Sequence, residues 1–386
     1  MENFLQLYRF EIKKIVSRKI TLAVVVGMIL MLGWSGINFI VVDKVEAGGK
    51  EISAYEDMVE RRKYARELNG RLMDDKLIKE MQAAYKKSEV QKGNQDYRQY
   101  EAVYQCIAEV QGDEAALYED AESYYKIGHI FIESIMKDAQ LTDREMTYWQ
   151  DMEKRIQSPF IFQYMEGAGI VFAAFNILGM LLVFVVAFSL SDVFSGEYRN
   201  RTDQLIFCSK HGKRRLYYAK IAAGITVGLS SAVLLFVFFL LLTLSIYGSD
   251  GMGAQLQLAA ISPYPLTIGQ GILILFALYV LAALLFSVFA MFSSELFRSS
   301  VAVMAVMVFG ILLSLVIHIP DRWRVLSQLW HLLPSQVVTP EVFHEYRLLP
   351  WLGGYLNVLQ TVPLFYAFLI IGLIVVGRCF FKNYKK

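Results

Sequence analysis

The chain has 386 residues, of which 55% are hydrophobic, 14% aromatic and only 19% charged, and its formal net charge is +2. Soluble domains carry about a quarter charged residues, and the shortfall here is concentrated in long apolar stretches. This composition excludes an ordinary soluble globular protein and favours a polytopic membrane protein. Cys106, Cys208 and Cys379 lie too far apart to indicate a disulfide framework or a metal site.

Six mostly apolar stretches without any Asp, Glu, Lys or Arg are predicted to cross the bilayer, which takes about 20 residues at a rise of 1.5 Å each. They are residues 20–42, 167–190, 221–247, 266–292, 299–317 and 363–377. The first is longer than the core of a signal peptide and no A-x-A site follows it, so we expect an uncleaved signal anchor. The predicted fold class is an all-α membrane protein with six transmembrane helices.

Lysine and arginine flank these stretches unevenly. They are concentrated before the first stretch, between the second and third, and at the C-terminus, whereas the opposite short connections hold few. Positive residues mark the cytoplasmic side, so both termini are predicted to be cytoplasmic. An uncleaved, disulfide-free chain with a lysine-rich cytoplasmic tail favours a multi-pass protein of a bacterial plasma membrane.

Residues 43–160 form the one long hydrophilic insert, with 18 basic and 25 acidic residues. Long domains translocate largely regardless of charge, so this insert is predicted to be an extracytoplasmic domain. Its composition predicts helices over 58–68, 72–90, 97–110, 114–136 and 143–156. The domain is interpreted either as a solvated helical cap or as a lid or receptor surface for a substrate.

Residues 1–19 have the spacing of an amphipathic helix. Lys13 lies on the polar side, and the apolar side includes Phe4, Tyr8, Ile12 and Ile15. Such a helix lies in the membrane interface. The simpler alternative is a positively charged flank that only sets topology.

The second and third stretches are joined by residues 192–220, which carry more than scattered positive charge. Thr202 is a plausible N-cap for an apolar turn formed by Leu205, Ile206 and Phe207. Three large apolar side chains facing water are costly unless another surface covers them. That surface is either the N-terminal helix or another protein.

With this loop in view, the sequence resembles the permease subunits of ABC exporters of the type-two (ABC-2) class. Members share an interfacial N-terminal helix, six spans and a second-to-third loop of similar order. The residues of this chain in the corresponding places are Glu197, Thr202, Leu205, Ile206, Phe207, Ser209, Gly212, Arg214 and Lys220. Arg201 stands where a Gly often precedes the Thr, and Lys210 where a Pro often follows the short helix.

The resemblance implies that this loop is a coupling helix, which docks in a cleft of a separate ABC ATP-binding subunit. That subunit would bind ATP and Mg, and this chain would need no cofactor of its own. The chain would form the pore with a second copy or with a related permease. A path between apolar helices suits an amphipathic or hydrophobic cargo, such as an antimicrobial peptide, a drug or a lipid.

No complete enzymatic motif is found in the sequence. The Gly49-Lys50 pair, for example, suggests a phosphate-binding loop, but Glu51 stands where such a loop has Ser or Thr. We therefore expect no enzymatic activity, no metal and no nucleic-acid partner. The competing function is a membrane receptor or scaffold, whose external domain binds a ligand and whose basic loop recruits a cytoplasmic protein. An ion-coupled carrier is disfavoured because the spans lack ionisable side chains.

Gly224 and Gly228 form a GxxxG motif on the third predicted span. Such a motif allows close approach of another helix. The sequence leaves open whether that helix belongs to the same chain or to a second subunit.

Overall fold

The computed structural model describes residues 2–47, 50–90, 96–111, 120–202, 214–317, 319–320, 322–351 and 354–382. The described chain is mostly helical and fits an all-α multi-pass membrane protein. Within these described ranges, five helices are long and apolar enough to span a bilayer: Lys19–Val42, Phe175–Arg199, Arg215–Tyr247, Ile268–Phe297 and Val358–Phe381. A sixth apolar helix, Ser300–Val316, has only 17 residues.

The N-terminal part of the chain begins with α1 (Glu2–Val16) and α2 (Lys19–Ile37), which continues to Val42 in a wider helical turn. The insert then opens with an antiparallel hairpin of β1 (Lys44–Ala47) and β2 (Lys50–Ser53). Its helices are α3 (Ala54–Leu68), α4 (Asp75–Val90), α5 (Glu101–Gln111), α6 (Ala121–Asp138) and α7 (Asp143–Glu153). All five predicted helices of the insert have a counterpart, and the hairpin is the departure from an all-helical insert.

The second predicted span is not one helix. α8 (Glu166–Ala173) ends at Ala174, and α9 (Phe175–Leu190) and α10 (Asp192–Arg199) follow. Within the predicted connecting segment 192–220, residues 192–199 form α10, and α11 (Arg215–Tyr247) begins at Arg215. Only residues 200–214 lie between these helices.

The remaining elements are α12 (Ile268–Phe297), α13 (Ser300–Val316), the short helices α14 (Arg324–His331) and α15 (Pro334–Val337), the hairpin of β3 (Leu349–Trp351) and β4 (Gly354–Leu356), and α16 (Val358–Lys382). α12 packs against α9, α11 and α16, and α9 also contacts α2 and α13. α9 and α12 are therefore the central helices, whereas few residues of α2 and α16 are buried.

Two glycines of α11 set its distance from α12. A Cβ atom at Gly228 would lie 1.9 Å from Ser287 Oγ, and one at Gly224 would lie 2.2 Å from Met291 Sδ. Both neighbours are on α12 of the same chain. The GxxxG motif is thus an internal packing site.

The insert is attached to the apolar helices through several contacts at their ends and in their connections. Arg61 on α3 pairs with Glu166 at the start of α8, with Nη2 2.9 Å from Oε1. Burial lowers the pKa of Arg61, but Glu166 and the neighbouring Glu101 and Asp57 outweigh it, so the pKa lies above its ordinary value. This ion pair joins the insert to the beginning of the second span.

Glu145 on α7 is the second attachment point, and its side chain is buried. Its Oε1 accepts hydrogen bonds from Arg324 Nη2 at 2.5 Å and from the Leu348 amide at 2.9 Å. Burial raises the pKa of Glu145, but the hydrogen bonds from Arg324, Thr142 and Leu348 outweigh it and hold the pKa below its ordinary value. The neighbouring Trp149 donates from Nε1 to the Tyr346 carbonyl at 2.5 Å. The insert therefore packs on the connection between α13 and α16.

Candidate functional site

The N-terminal helix lies against the chain itself. α1 packs along α11, where Tyr8 Oη lies 2.8 Å from Thr226 Oγ1 and Ile15 is fully buried. Ile12 is half-buried against the same core, whereas Phe4 and Lys13 are exposed. The predicted apolar side of this helix thus divides into a part that contacts α11 and an exposed part at its beginning.

Lys220, in the second turn of α11, has no exposed side-chain surface. Its Nζ lies 2.6 Å from Glu197 Oε1, 3.1 Å from Glu11 Oε2 and 3.1 Å from the carbonyl oxygen of Val193. An ammonium group has three N–H donors, and these three acceptors satisfy all of them. The charged group is therefore fully compensated although it is removed from water.

Lys14 completes this set, with Nζ 2.9 Å from Glu197 Oε1 and 3.9 Å from Glu11 Oε2. We call Glu11, Lys14, Glu197 and Lys220 the charge cluster. Its four members come from three helices, α1, α10 and α11. Removing one partner of a buried ion pair costs about 3 to 5 kcal/mol, because the other charge stays buried alone. The charge cluster therefore resists separation of these helices.

A second ion pair ties the end of α1 to α10. Arg18 Nη2 donates to Asp192 Oδ2 at 2.6 Å and to the Asp192 carbonyl at 3.1 Å. Arg199, about two turns further along α10, donates to the same carboxylate at 3.2 Å. Both ends of α10 thus carry a charged contact, one to the α1–α2 junction and one to the charge cluster.

α10 is also attached to α12. Ser294 Oγ accepts hydrogen bonds from the amides of Phe194 and Ser195 at 3.2 and 3.0 Å and donates to the Ser191 carbonyl at 2.6 Å. Tyr198 donates from Oη to Glu295 Oε1 at 2.6 Å. These bonds satisfy backbone groups where the chain passes from α9 to α10, and they connect the charge cluster to a central helix.

The residues predicted to couple to the ATPase lie in different environments. Glu197 and Lys220 are brought together in the charge cluster, and Arg214 is exposed just before α11. Thr202 is exposed, and its amide and hydroxyl both bond to the Glu197 carbonyl, at 3.1 and 3.4 Å. Leu205, Ile206 and Phe207 lie outside the described residues, so the predicted apolar turn stays a prediction.

Arg201 has a backbone φ of 55° and ends α10 in the left-handed region. Glycine adopts this conformation without the steric cost that a Cβ atom brings. Arg201 therefore occupies a position whose backbone conformation favours glycine.

Sequence reasoning missed Glu11 and Lys14. Glu11 is three residues after Tyr8 and four before Ile15, so it lies within the apolar stripe of α1. A carboxylate in such a stripe needs a cationic partner once the stripe is buried. That spacing was the available signal, although it does not say where the partner lies in the sequence.

The chain matches no protein-family model, no curated protein and no solved structure. Among the described residues, no group of three or more His, Cys, Asp and Glu side chains is placed to hold a metal ion.

Proposed function

We propose that this protein is the permease subunit of an ABC exporter of the ABC-2 class, driven by a separate ABC ATP-binding subunit that docks on residues 200–214. That partner would bind ATP and Mg, and this chain would carry no catalytic site. The proposal is supported by the resemblance of residues 197–220 to a coupling helix and by the number of apolar helices.

The observation that carries the proposal is the burial of Lys220 between Glu11 and Glu197. The proposed docking segment leaves α10 and returns through α11, and the charge cluster joins both helices to α1. A force applied to this segment by the ATPase would therefore move the three helices together instead of separating them. Through Ser294 and Glu295 the same movement would reach α12.

The proposed arrangement in the membrane has six spans, with α13 as the fifth. α13 would extend about 26 Å at 1.5 Å per residue, somewhat less than the bilayer core of about 30 Å. Both termini and the charge cluster would be cytoplasmic, the insert would be extracytoplasmic, and the membrane would be a bacterial plasma membrane. A second copy or a related permease would complete the pore for an amphipathic or hydrophobic cargo.

The test is copurification of an ATPase from the native membrane. The tagged chain is expected to retain a stoichiometric protein with a phosphate-binding loop and ATP hydrolysis activity, and the double variant Leu205→Asp with Phe207→Asp should lose both. The matched control, Asn200→Asp with Gln204→Asp, adds the same two charges to the same segment and removes no apolar side chain. An ATPase that stays bound to the first variant contradicts the coupling role.

The second candidate function is a receptor or scaffold, and the attachment of the insert through Glu145 and Trp149 favours it. A ligand bound to the insert would act on the α13–α16 connection through these bonds. Reproducible absence of an ATPase from a folded, monodisperse preparation would favour this function over the exporter.

A further inference from the structure

A pocket of about 190 Å³ opens in the insert, on the side of α6 that faces the end of α7. Its walls are mostly apolar or aromatic, and they come from α6, from residues 153–160 and from residues 257–262 between α11 and α12. The apolar and aromatic wall residues are Tyr124, Tyr125, Ile132, Ile156, Phe160 and Ile261. Of these residues, Tyr124 is the most deeply buried.

The volume and the walls select one size of occupant. A cavity of about 150 Å³ is enough to bind benzene, so this pocket accommodates a single aromatic ring with a short substituent. Tyr125 and Phe160 already pack edge to face, with their ring centroids 5.0 Å apart and their planes at 81°. The ring of a ligand would pack favourably against these two side chains, since aromatic pairs prefer edge-to-face or offset contacts.

The shape of the pocket is held in place by hydrogen bonds. Tyr125 Oη accepts from the Phe160 amide at 2.8 Å and donates to the Met73 carbonyl at 3.0 Å. Gln257 donates from Nε2 to the carbonyls of Ser262 and Tyr264, at 2.9 and 2.7 Å. These bonds fix parts of two walls without a ligand, so little ordering is needed when one binds.

One side of the pocket carries negative charge. Glu153 Oε1 lies 2.9 Å from His129 Nδ1, and Glu133 lies 3.5 Å from the other ring nitrogen of His129. The hydrogen bond with Glu153 raises the pKa of His129 above its ordinary value. A carboxylate offers about four acceptor positions, so the contact with His129 leaves Glu153 able to accept from a ligand. With 18 basic and 25 acidic residues, the whole insert also attracts cations.

We propose that this pocket binds an aromatic group that carries a positive charge two or three bonds from its ring, with the ring between Tyr125, Phe160 and Ile261 and the charge at Glu153. Free arylalkylamines and peptides with an aromatic residue at a free N-terminus share this chemistry. The site does not depend on the proposed ATPase, because every wall belongs to this chain.

The position of the pocket gives binding a consequence for the membrane helices. One wall belongs to the insert, and the wall with Gln257, Ile261 and Ser262 belongs to the connection between α11 and α12. A bound ring would contact both. The opposite end of α11, where the helix begins, lies beside the charge cluster. A ligand in the pocket would therefore restrain the helix that carries Lys220.

The test measures the binding of phenethylamine to the purified full chain in lipid nanodiscs by ligand-observed NMR. The neutral comparison ligand is 2-phenylethanol, which has the same ring and the same number of heavy atoms. The dissociation constant obtained from saturation-transfer titrations should be at least tenfold lower for the amine, because the alcohol replaces a charge-assisted hydrogen bond with a neutral one. A phenylalanine-lysine-lysine peptide amide, whose N-terminal ammonium is three bonds from the ring, is the third probe, and binding tighter than that of phenethylamine would identify a peptide as the source of the ring.

Two variants locate the binding. Glu153→Gln should abolish the preference for the amine, and its matched control Asp151→Asn changes an exposed carboxylate of the same helix that does not line the pocket. Ile156→Trp should fill the pocket and remove binding of all three probes, whereas Ile130→Trp, on the exposed side of α6, should not. Equal affinity for the amine and the alcohol, or an unchanged preference in folded Glu153→Gln protein, would overturn the proposal. Loss of ATPase association would leave these results unchanged, which separates this site from the proposed export function.

Discussion

Lys220 and Glu11 are 209 positions apart in the sequence, yet Lys220 Nζ lies 3.1 Å from Glu11 Oε2 and both side chains are buried. The pair joins the N-terminal helix to the helix that follows residues 200–214. Glu197 accepts from the same ammonium group at 2.6 Å and adds α10 to the unit.

The charge cluster predicts a large loss of stability in Lys220→Met. The variant leaves the buried carboxylates of Glu11 and Glu197 with the partly exposed Lys14 as their shared cation, and the expected cost is about 3 kcal/mol. The measurement is the unfolding midpoint in detergent by tryptophan fluorescence. Adding Glu11→Gln should recover part of the loss, because one of the uncompensated charges is then removed.

The control for this prediction is Lys44→Met, which removes an exposed ion pair with Glu51 at 3.5 Å. Exposed pairs contribute about 0 to 1 kcal/mol, so its midpoint should stay close to that of the unaltered protein. A similar loss in both lysine variants would mean that the charge cluster has no special role in stability.

Gly228→Val is predicted to prevent the close packing of α11 on α12. The added Cβ would lie 1.9 Å from Ser287 Oγ and 3.1 Å from its Cβ, so the helices must move apart. Overpacking of this kind costs about 1 to 3 kcal/mol. Gly27→Val is the control, because nothing lies within 4 Å of a Cβ at that position of α2. Thermal stability by size-exclusion chromatography should fall for the first variant and change little for the second.

Arg201→Gly is predicted to stabilise the end of α10. The left-handed φ of 55° at Arg201 costs an L-residue about 1 to 2 kcal/mol relative to the right-handed region, and glycine avoids this cost. The gain should be smaller than the cost, since glycine also has more freedom in the unfolded chain. Asn200→Gly, at a φ of −88°, should destabilise the protein slightly. A lower unfolding midpoint for Arg201→Gly than for Asn200→Gly would contradict the conformational explanation.

Glu145→Gln is predicted to weaken the attachment of the insert in a pH-dependent way. The pKa of Glu145 in the folded protein lies below its ordinary value of 4.5. Its contribution to stability is therefore complete above that ordinary value and is lost as the pH falls through the lower folded value. At pH 7 the variant should be about 2 kcal/mol less stable, because a charged hydrogen-bond acceptor is lost.

Near pH 3, below the ordinary value of 4.5, the difference between the two proteins should shrink, because Glu145 of the unaltered protein is then protonated in the unfolded state and its charge favours folding less. Thermal midpoints at the two pH values check this expectation. The control is Asp151→Asn, because Asp151 is exposed on the same helix and its partner Lys154 is exposed as well. A difference for Glu145→Gln that is the same at both pH values would show that the charge of Glu145 is not what stabilises the attachment.

The local elements of this protein could be predicted well from the sequence. The five helices of the insert and the apolar helices have counterparts near the expected residues, because helical periodicity and hydropathy are properties of short segments. The break at Ala174 and the helix Asp192–Arg199 were not predicted. Hydropathy alone placed the end of the second span before Asp192, since it counts each charged residue as unfavourable in a buried helix.

The amino-acid sequence by itself determined that the chain is helical, where its apolar helices lie, and that Glu197 and Lys220 belong to an unusual segment. Only the tertiary structure decided that these two residues meet, that Glu11 and Lys14 join them, and that Gly228 contacts α12. The physical reason is that burial of a charge depends on the partner that compensates it. That partner comes from a helix far away in the sequence, and a local pattern contains no information about which helices pack together.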